Sequence, residues 1–192
     1  MTVIIPLYIL GLLQRFGPQH GYQIKKTIAA RLSDFTQIKL PTIYYHLEKM
    51  EADGLLSASR EKPGSRPEKT VYAITDQGIE AFKSMLAELL EFEYKPAFPS
   101  DGVFYFSDYL NNADIVEHLK SYIGKLQKKI ESIQKHKKET LQYVPDDMKT
   151  MVNIIFGHHQ QHYQAEIDWA TESLTSLKGE QDHGQAKNHR NK

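Results

Sequence analysis

The stretch PTIYYHLEKMEADGLL, Pro41 to Leu56, decides how the rest of the chain reads. Proline suits the first position of a helix, where its missing N–H would have no partner anyway. Beyond it Ile43, Leu47 and Met50 fall at steps of four and three on one face, and the pattern stops at Gly54. The opposite arc presents Pro41, Thr42, Tyr45 and Lys49, with Tyr44 and His46 on its flanks and Lys39 just ahead of the helix. A rod with hydrocarbon on one side and donors, acceptors and rings on the other is suited to lie against a polar polymer. Thr and Tyr hydroxyls can reach phosphates or base edges, Lys49 can neutralise a phosphate or approach guanine, and His46 can donate or accept. Glu48 and Glu51 are expected to stay away from phosphates.

Working upstream, Ile4, Ile5, Tyr8, Ile9, Leu12 and Leu13 recur at helical spacing until Gly17 and Pro18. The apolar run from Val3 to Leu13 is too short for a membrane span, which needs ~20 residues, and has neither the basic start nor the small-residue cleavage site of a signal peptide. From Gly21 to Leu32 a second helix carries Tyr22, Ile24, Ile28 and Leu32 as its apolar stripe, flanked by Lys25, Lys26 and Arg31. Downstream, Leu55–Arg60 and Thr70–Thr75 have strand character around a Pro- and Gly-bearing hairpin tip. Thr75 or Asp76 caps a further helix whose stripe, Ile79, Phe82, Met85, Leu86, Leu89 and Leu90, ends near Pro96.

Three helices, a two-stranded hairpin and a fourth helix are the plan of a winged helix-turn-helix, whose third helix enters a DNA major groove while the hairpin touches the neighbouring backbone. That plan gives the hairpin tip a role. Lys62, Ser65 and Arg66 are expected to contact a phosphate or a narrow minor groove, although Glu61 and Glu68 make the tip only mildly basic.

Pro96 and Pro99 mark a boundary, so a DNA-binding domain is expected over 1–95. A short aromatic segment, Phe104 to Tyr109, precedes a long helix from Asp114 to about Tyr143 with Ile115, Leu119, Tyr122, Leu126, Ile130 and Ile133 at steps of three and four. Pro145 breaks it, and a last helix follows from Asp146 to about Leu177. Two such helices have more apolar surface than they can hide against each other, which makes a second copy of the chain the economical partner. Leu119, Leu126, Ile130, Ile155, Tyr163, Ile167 and Leu174 are the expected dimer contacts. The alternative is a monomer in which these helices fold back on the N-terminal unit. A helical dimerisation and effector domain is thus expected over 100–177, followed by a disordered tail over 178–192, where almost nothing could be buried.

The fold class expected is mostly α, a winged helix-turn-helix followed by a helical dimerisation domain. With 24 Lys plus Arg against 24 Asp plus Glu, affinity for nucleic acid has to come from local clustering. The absence of cysteine removes disulfides, thiolate catalysis and Cys-ligated zinc, and makes a cytoplasmic location the default. No phosphate loop, nucleophile turn or paired catalytic carboxylates stand out, so no enzyme activity and no cofactor are expected.

Several segments together resemble the PadR transcriptional regulators: His20–Ile24 opening the second helix, Pro41–Leu47, Glu51–Leu55, and Val71–Gly78. They lie within about the first ninety residues, and the later aromatic segment, Lys-rich helix and Trp169-bearing helix look like the C-terminal half of the longer, phenolic-acid-sensing type. The resemblance implies a homodimer on a pseudo-palindromic double-stranded DNA operator, with repression relieved by a small molecule. It also implies that Tyr44 sits near the DNA backbone, as the matching Tyr of the family does.

Phe104, Tyr105, Tyr109, Tyr122 and Trp169 are the candidate effector-binding rings, for a phenolic acid or, if the chain controls an efflux system, for bulky hydrophobic or cationic drugs. A further alternative is a metal site on His158 and His162, one helical turn apart. The residue after His158 is His159 rather than the Glu of the metalloprotease motif, and no third ligand is evident, so no metal is expected. A winged fold used for protein contacts alone would be told apart by salt, since DNA binding weakens steeply as salt rises.

Overall fold

The computed structural model describes residues 4–32, 36, 38–61 and 69–188, with backbone only for 61 and 179–188. The chain divides into two compact units, Met1–Pro96 and Ala97–Lys192. In the first, helices α1 (Ile4–Phe16), α2 (Gly21–Arg31), α3 (Leu40–Ala52) and α4 (Asp76–Leu89) surround a small sheet of β1 (Gln19–His20), β2 (Leu56–Glu61) and β3 (Lys69–Ile74).

Most of the apolar positions predicted for α1, α2 and α3 are buried. Ile9, Leu10, Leu13, Ile24, Ile28, Ile43 and Leu47 are fully buried and meet in one core with Met50, Leu56 and Tyr72. Each such side chain contributes roughly 1.5–3 kcal/mol through burial. Phe82 of α4 lies over Gly11 of α1, closing that core from the far side. Pro41 takes the second helical position rather than the first, one residue later than predicted.

The sheet keeps the expected two-stranded hairpin and adds a third, two-residue strand. Its order is β1-β3-β2, all antiparallel, with Gln19 opposite Tyr72 and His20 opposite Val71. A two-residue strand has no periodicity of its own, and only pairing with a strand some fifty residues later makes it one. Gln19 and His20 are tied further: Gln19 Nε2 donates to the Leu12 carbonyl at 3.4 Å, and His20 Nδ1 lies 3.0 Å from the Thr70 carbonyl. The β2–β3 hairpin keeps regular register from Leu56 opposite Ile74 to Glu61 opposite Lys69. Its tip, with the candidate contacts Lys62, Ser65 and Arg66, lies outside the described residues.

At α4 the helix ends at Leu89, short of the predicted Pro96, and Leu86, Leu89 and Leu90 are exposed rather than part of a buried stripe. The helix starts as expected. Thr75 Oγ1 accepts the Gly78 N–H at 3.0 Å, and this hydroxyl lies 2.8 Å from the Gly54 carbonyl, to which it can donate.

The second unit holds α5 (Ser100–Tyr105), a 3₁₀ turn over Ser107–Tyr109, the long α6 (Asn112–Tyr143), a second 3₁₀ turn over Asp146–Met148 and α7 (Lys149–Asn188). Asn111 caps α6 by accepting the Ala113 N–H at 3.0 Å. Tyr122 reaches Glu166 and His136 meets Phe156, so α6 and α7 run antiparallel. Between them Ile115, Leu119, Leu126, Ile133, Phe156 and Ala170 are buried. The backbone of α7 stays helical to Asn188, past residue 178 where the composition predicts that order ends. Once a helix is nucleated each further residue adds a hydrogen bond at little cost, and this extension needs no apolar burial. Residues 189–192 lie outside the described residues. Among the described residues no helix is long and apolar enough to cross a membrane.

Candidate nucleic-acid interface

The two sides of α3 are chemically opposed. Ile43 and Leu47 have no exposed surface and Met50 has 3%, whereas Tyr45 keeps 61% and Tyr44 38%. Lys39, Pro41 and Lys49 are also exposed, and Thr42 is half-buried. Six of the seven described side chains of the expected set are therefore open or half-open. His46 is the exception. It is only 8% exposed, edge-on to the Tyr45 ring at 5.2 Å, because position 46 is one turn from Ile43 and beside Leu47. Burial, with the positive charge of Lys49 second, pushes its pKa below the ordinary imidazole value.

The packing of α2 against α3 aims Tyr44. A Cβ placed on Gly21 would lie 2.6 Å from Tyr44 Cε1 and 3.1 Å from Leu47 Cδ1, so the missing side chain at the start of α2 is the space the Tyr44 ring uses. The Gln23 side chain accepts the His20 N–H at 2.9 Å and holds the first turn of α2. Glu48 and Glu51 both raise the pKa of the Tyr72 phenol on β3, after burial, which places their negative charge toward the hairpin.

Tyr22, which the spacing counts with the apolar stripe of α2, is instead 63% exposed. The signal was legible: two residues before Ile24 is about 200° around a helix, the opposite side from Ile24 and Ile28. With Lys26 exposed on the same helix, Tyr22 joins the candidate contacts at the mouth of the helix-turn-helix.

The second unit contains a cavity of about 400 Å³. Three of the five candidate effector rings line it: Phe104, Tyr122 and Trp169. Phe104 meets Trp169 edge-on at 5.6 Å, and the Tyr122 hydroxyl donates to Glu166 Oε2 at 3.0 Å. Tyr105 and Tyr109 are each 82% exposed and take no part in it. They sit where short helical turns point them away from the α6–α7 seam. Residues that the aromatic pattern did not reveal complete the wall, notably Phe98, Val103, His118 and Glu166.

His158 and His162 approach within 3.1 Å, Nε2 to Nε2. Among the described residues no group of three His, Cys, Asp or Glu could hold a metal ion.

A helix-turn-helix followed by a β-hairpin, with the third helix bare on its polar side, defines a winged-helix protein of the DNA-reading class. Residues 9–84 match the transcriptional regulator PadR-like family, and residues 104–178 match the family described as virulence activator alpha C-term. The chain therefore carries a domain of the PadR-like transcriptional regulator family. Among solved structures it is similar to Bacillus subtilis PadR in complex with operator DNA, at 20% identity and a TM-score of 0.70, covering 91% of this chain and 99% of that one. It is also similar to the Vibrio cholerae virulence activator AphA, at 22% identity and a TM-score of 0.67, covering 91% and 98%. Bacillus subtilis PadR in complex with p-coumaric acid matches at 18% identity and 0.65, covering 93% and 98%. The likeness is one of fold over nearly the whole length of each chain. No curated protein sequence matches the chain.

Proposed function

We propose that this chain is a homodimeric repressor that holds a pseudo-palindromic operator through residues 1–95 and joins its partner copy through residues 100–177. The single observation that carries the reading is the split of α3, sealed on Ile43, Leu47 and Met50 and open on Pro41, Tyr45 and Lys49. The described relative PadR, complexed with operator DNA, supports it at the level of fold. Two copies would set their third helices about 34 Å apart, one duplex turn, for successive major grooves.

The apolar surface left on α7 supports pairing of copies. Met151 is 60% exposed, Ile154 59% and Ile155 45%. Of the residues expected at the interface, Leu119 and Leu126 are spent inside their own helical hairpin, at 6% and 8% exposure, and are withdrawn from it. Ile130, Tyr163, Ile167 and Leu174 are half-buried and remain, with Ile155.

A small aromatic effector in the C-terminal cavity would release the operator by favouring a dimer with the wrong helix separation. The ligand can only contribute its differential affinity for the two arrangements, and ~2–3 kcal/mol gives derepression of tens to hundreds fold.

Selection of random duplexes on the purified chain tests the reading. A recovered inverted repeat with half-sites about 10 base pairs apart, bound more weakly as salt rises, is the expected result. Recovery of no preferred sequence, with binding indifferent to salt, would leave the fold serving some other purpose.

A further inference from the structure

The cavity lies wholly within the second unit, walled by α5, the first turns of α6 and the middle of α7. At about 400 Å³ it has room for one or two rings and a short tail. Phe104 and Trp169 supply aromatic faces and edges, with Phe98, Val103 and Leu119 completing an apolar wall. Such a wall selects for shape and apolar area. The polar groups select for charge.

Among the described residues of the lining Glu166 is the only carboxylate, and none is Lys or Arg. Its one hydrogen bond among the described residues comes from the Tyr122 hydroxyl, and no cation is paired with it there. A carboxylate has about four acceptor sites, so one neutral donor leaves most of its capacity unused. His118, also in the lining, has Nδ1 2.9 Å from the Asp114 carbonyl, an oxygen that can only accept, so Nδ1 carries a proton there. Aromatic faces and a carboxylate together attract an ammonium, by charge, by hydrogen bonds and by the ring quadrupoles. A phenolic acid would bring a second carboxylate beside Glu166 with no guanidinium or ammonium to offset it.

We propose that this cavity binds a monocationic arylalkylamine, its ring against Phe104 and Trp169 and its ammonium on Glu166. The regulatory consequence, that such an amine is the effector, rests on the repressor reading above; the binding does not. The site therefore departs from the phenolic-acid expectation and favours the cationic-ligand alternative.

Trp169 is the sole tryptophan of the chain, so its emission reports directly on the cavity. The full-length chain is titrated with 2-phenylethylammonium and benzyltrimethylammonium, and with 3-phenylpropionate as an anion of similar size. A saturable change with the cations, at least about tenfold tighter than with the anion, is expected, as is about a tenfold loss in Glu166→Gln, which keeps an oxygen for Tyr122. Cations that fail to saturate, an anion that binds as tightly, or a Glu166→Gln chain of unchanged affinity overturns the proposal. Failure to saturate is also what a partner copy filling the cavity would produce. If Glu166→Gln melts early, the cation-to-anion ratio of the unaltered chain decides alone. Operator binding measured in the same samples separates the two readings. Lower DNA affinity at saturating amine is the expected result, an unchanged affinity overturns the effector role, and a chain that never binds DNA sinks the repressor reading while the titration still judges the cavity.

Discussion

Lys49 stands on the bare arc of α3, one turn beyond Tyr45, where a long cation can follow a groove. Replacing it with alanine is expected to weaken operator binding by ~1–3 kcal/mol if it reads a base, or to lower the salt slope by about one if it meets a phosphate. Unchanged affinity and slope, measured by fluorescence anisotropy across a salt series, would remove it from the contacts. His46 lies beside it with the opposite fate. Its folded pKa is held below the ordinary 6.5 by burial and by Lys49, so the unfolded chain takes up a proton more readily than the folded one. Stability from this group is fully present above pH 6.5 and is lost as pH falls through the depressed folded value. Urea midpoints of the chain should fall across that window, and His46→Gln should flatten the fall; a profile identical in both would show that other groups cause it. Helical angle alone sorted Ile43 from Tyr45, whereas His46 lies on the border of the stripe, and only the neighbouring packing decided its burial.

Elements meet in this fold where side chains are missing. At the start of α4 a Cβ on Gly78 would fall 2.1 Å from the Leu55 carbonyl oxygen and 2.8 Å from Ile74 Cγ1, and a backbone atom cannot swing aside. Gly78→Ala should therefore cost at least ~1–3 kcal/mol, read as a lower urea midpoint with an unchanged slope. A midpoint within error of the parent would mean that the α4–β2 junction gives way easily. Gly21→Ala is a different case, because the nearest atom belongs to the movable ring of Tyr44. Operator affinity is expected to drop more than stability does, and a fall in stability with affinity retained would contradict a role for Tyr44 at the DNA. The four helices of the first unit and the β2–β3 hairpin were legible because their periods run for many residues. The two-residue β1 was not, since its only cause is a ladder with distant β3.

At the scale of the whole molecule the long helices have two kinds of apolar side chain. Leu126 is buried in the α6–α7 seam, so Leu126→Ala should cost ~2–5 kcal/mol of stability whatever the oligomeric state. Met151 and Ile155 are exposed, and Met151→Glu with Ile155→Glu should shift the proposed dimer toward monomer while leaving the helical content intact. Sedimentation velocity with circular dichroism distinguishes these outcomes. A double variant that sediments like the parent would place the interface elsewhere.

The amino-acid sequence by itself determined the helices, the hairpin, the buried face of α3 and the resemblance that the family matches bear out, because each is written in residues near one another along the chain. Tertiary structure alone decided which seam residues the α6–α7 pair consumes, which aromatic rings reach the cavity and that Glu166 stands among them. The reason is geometric: Tyr122 and Glu166 are 44 positions apart, and no local period records which side chains a distant helix will bring to the same wall.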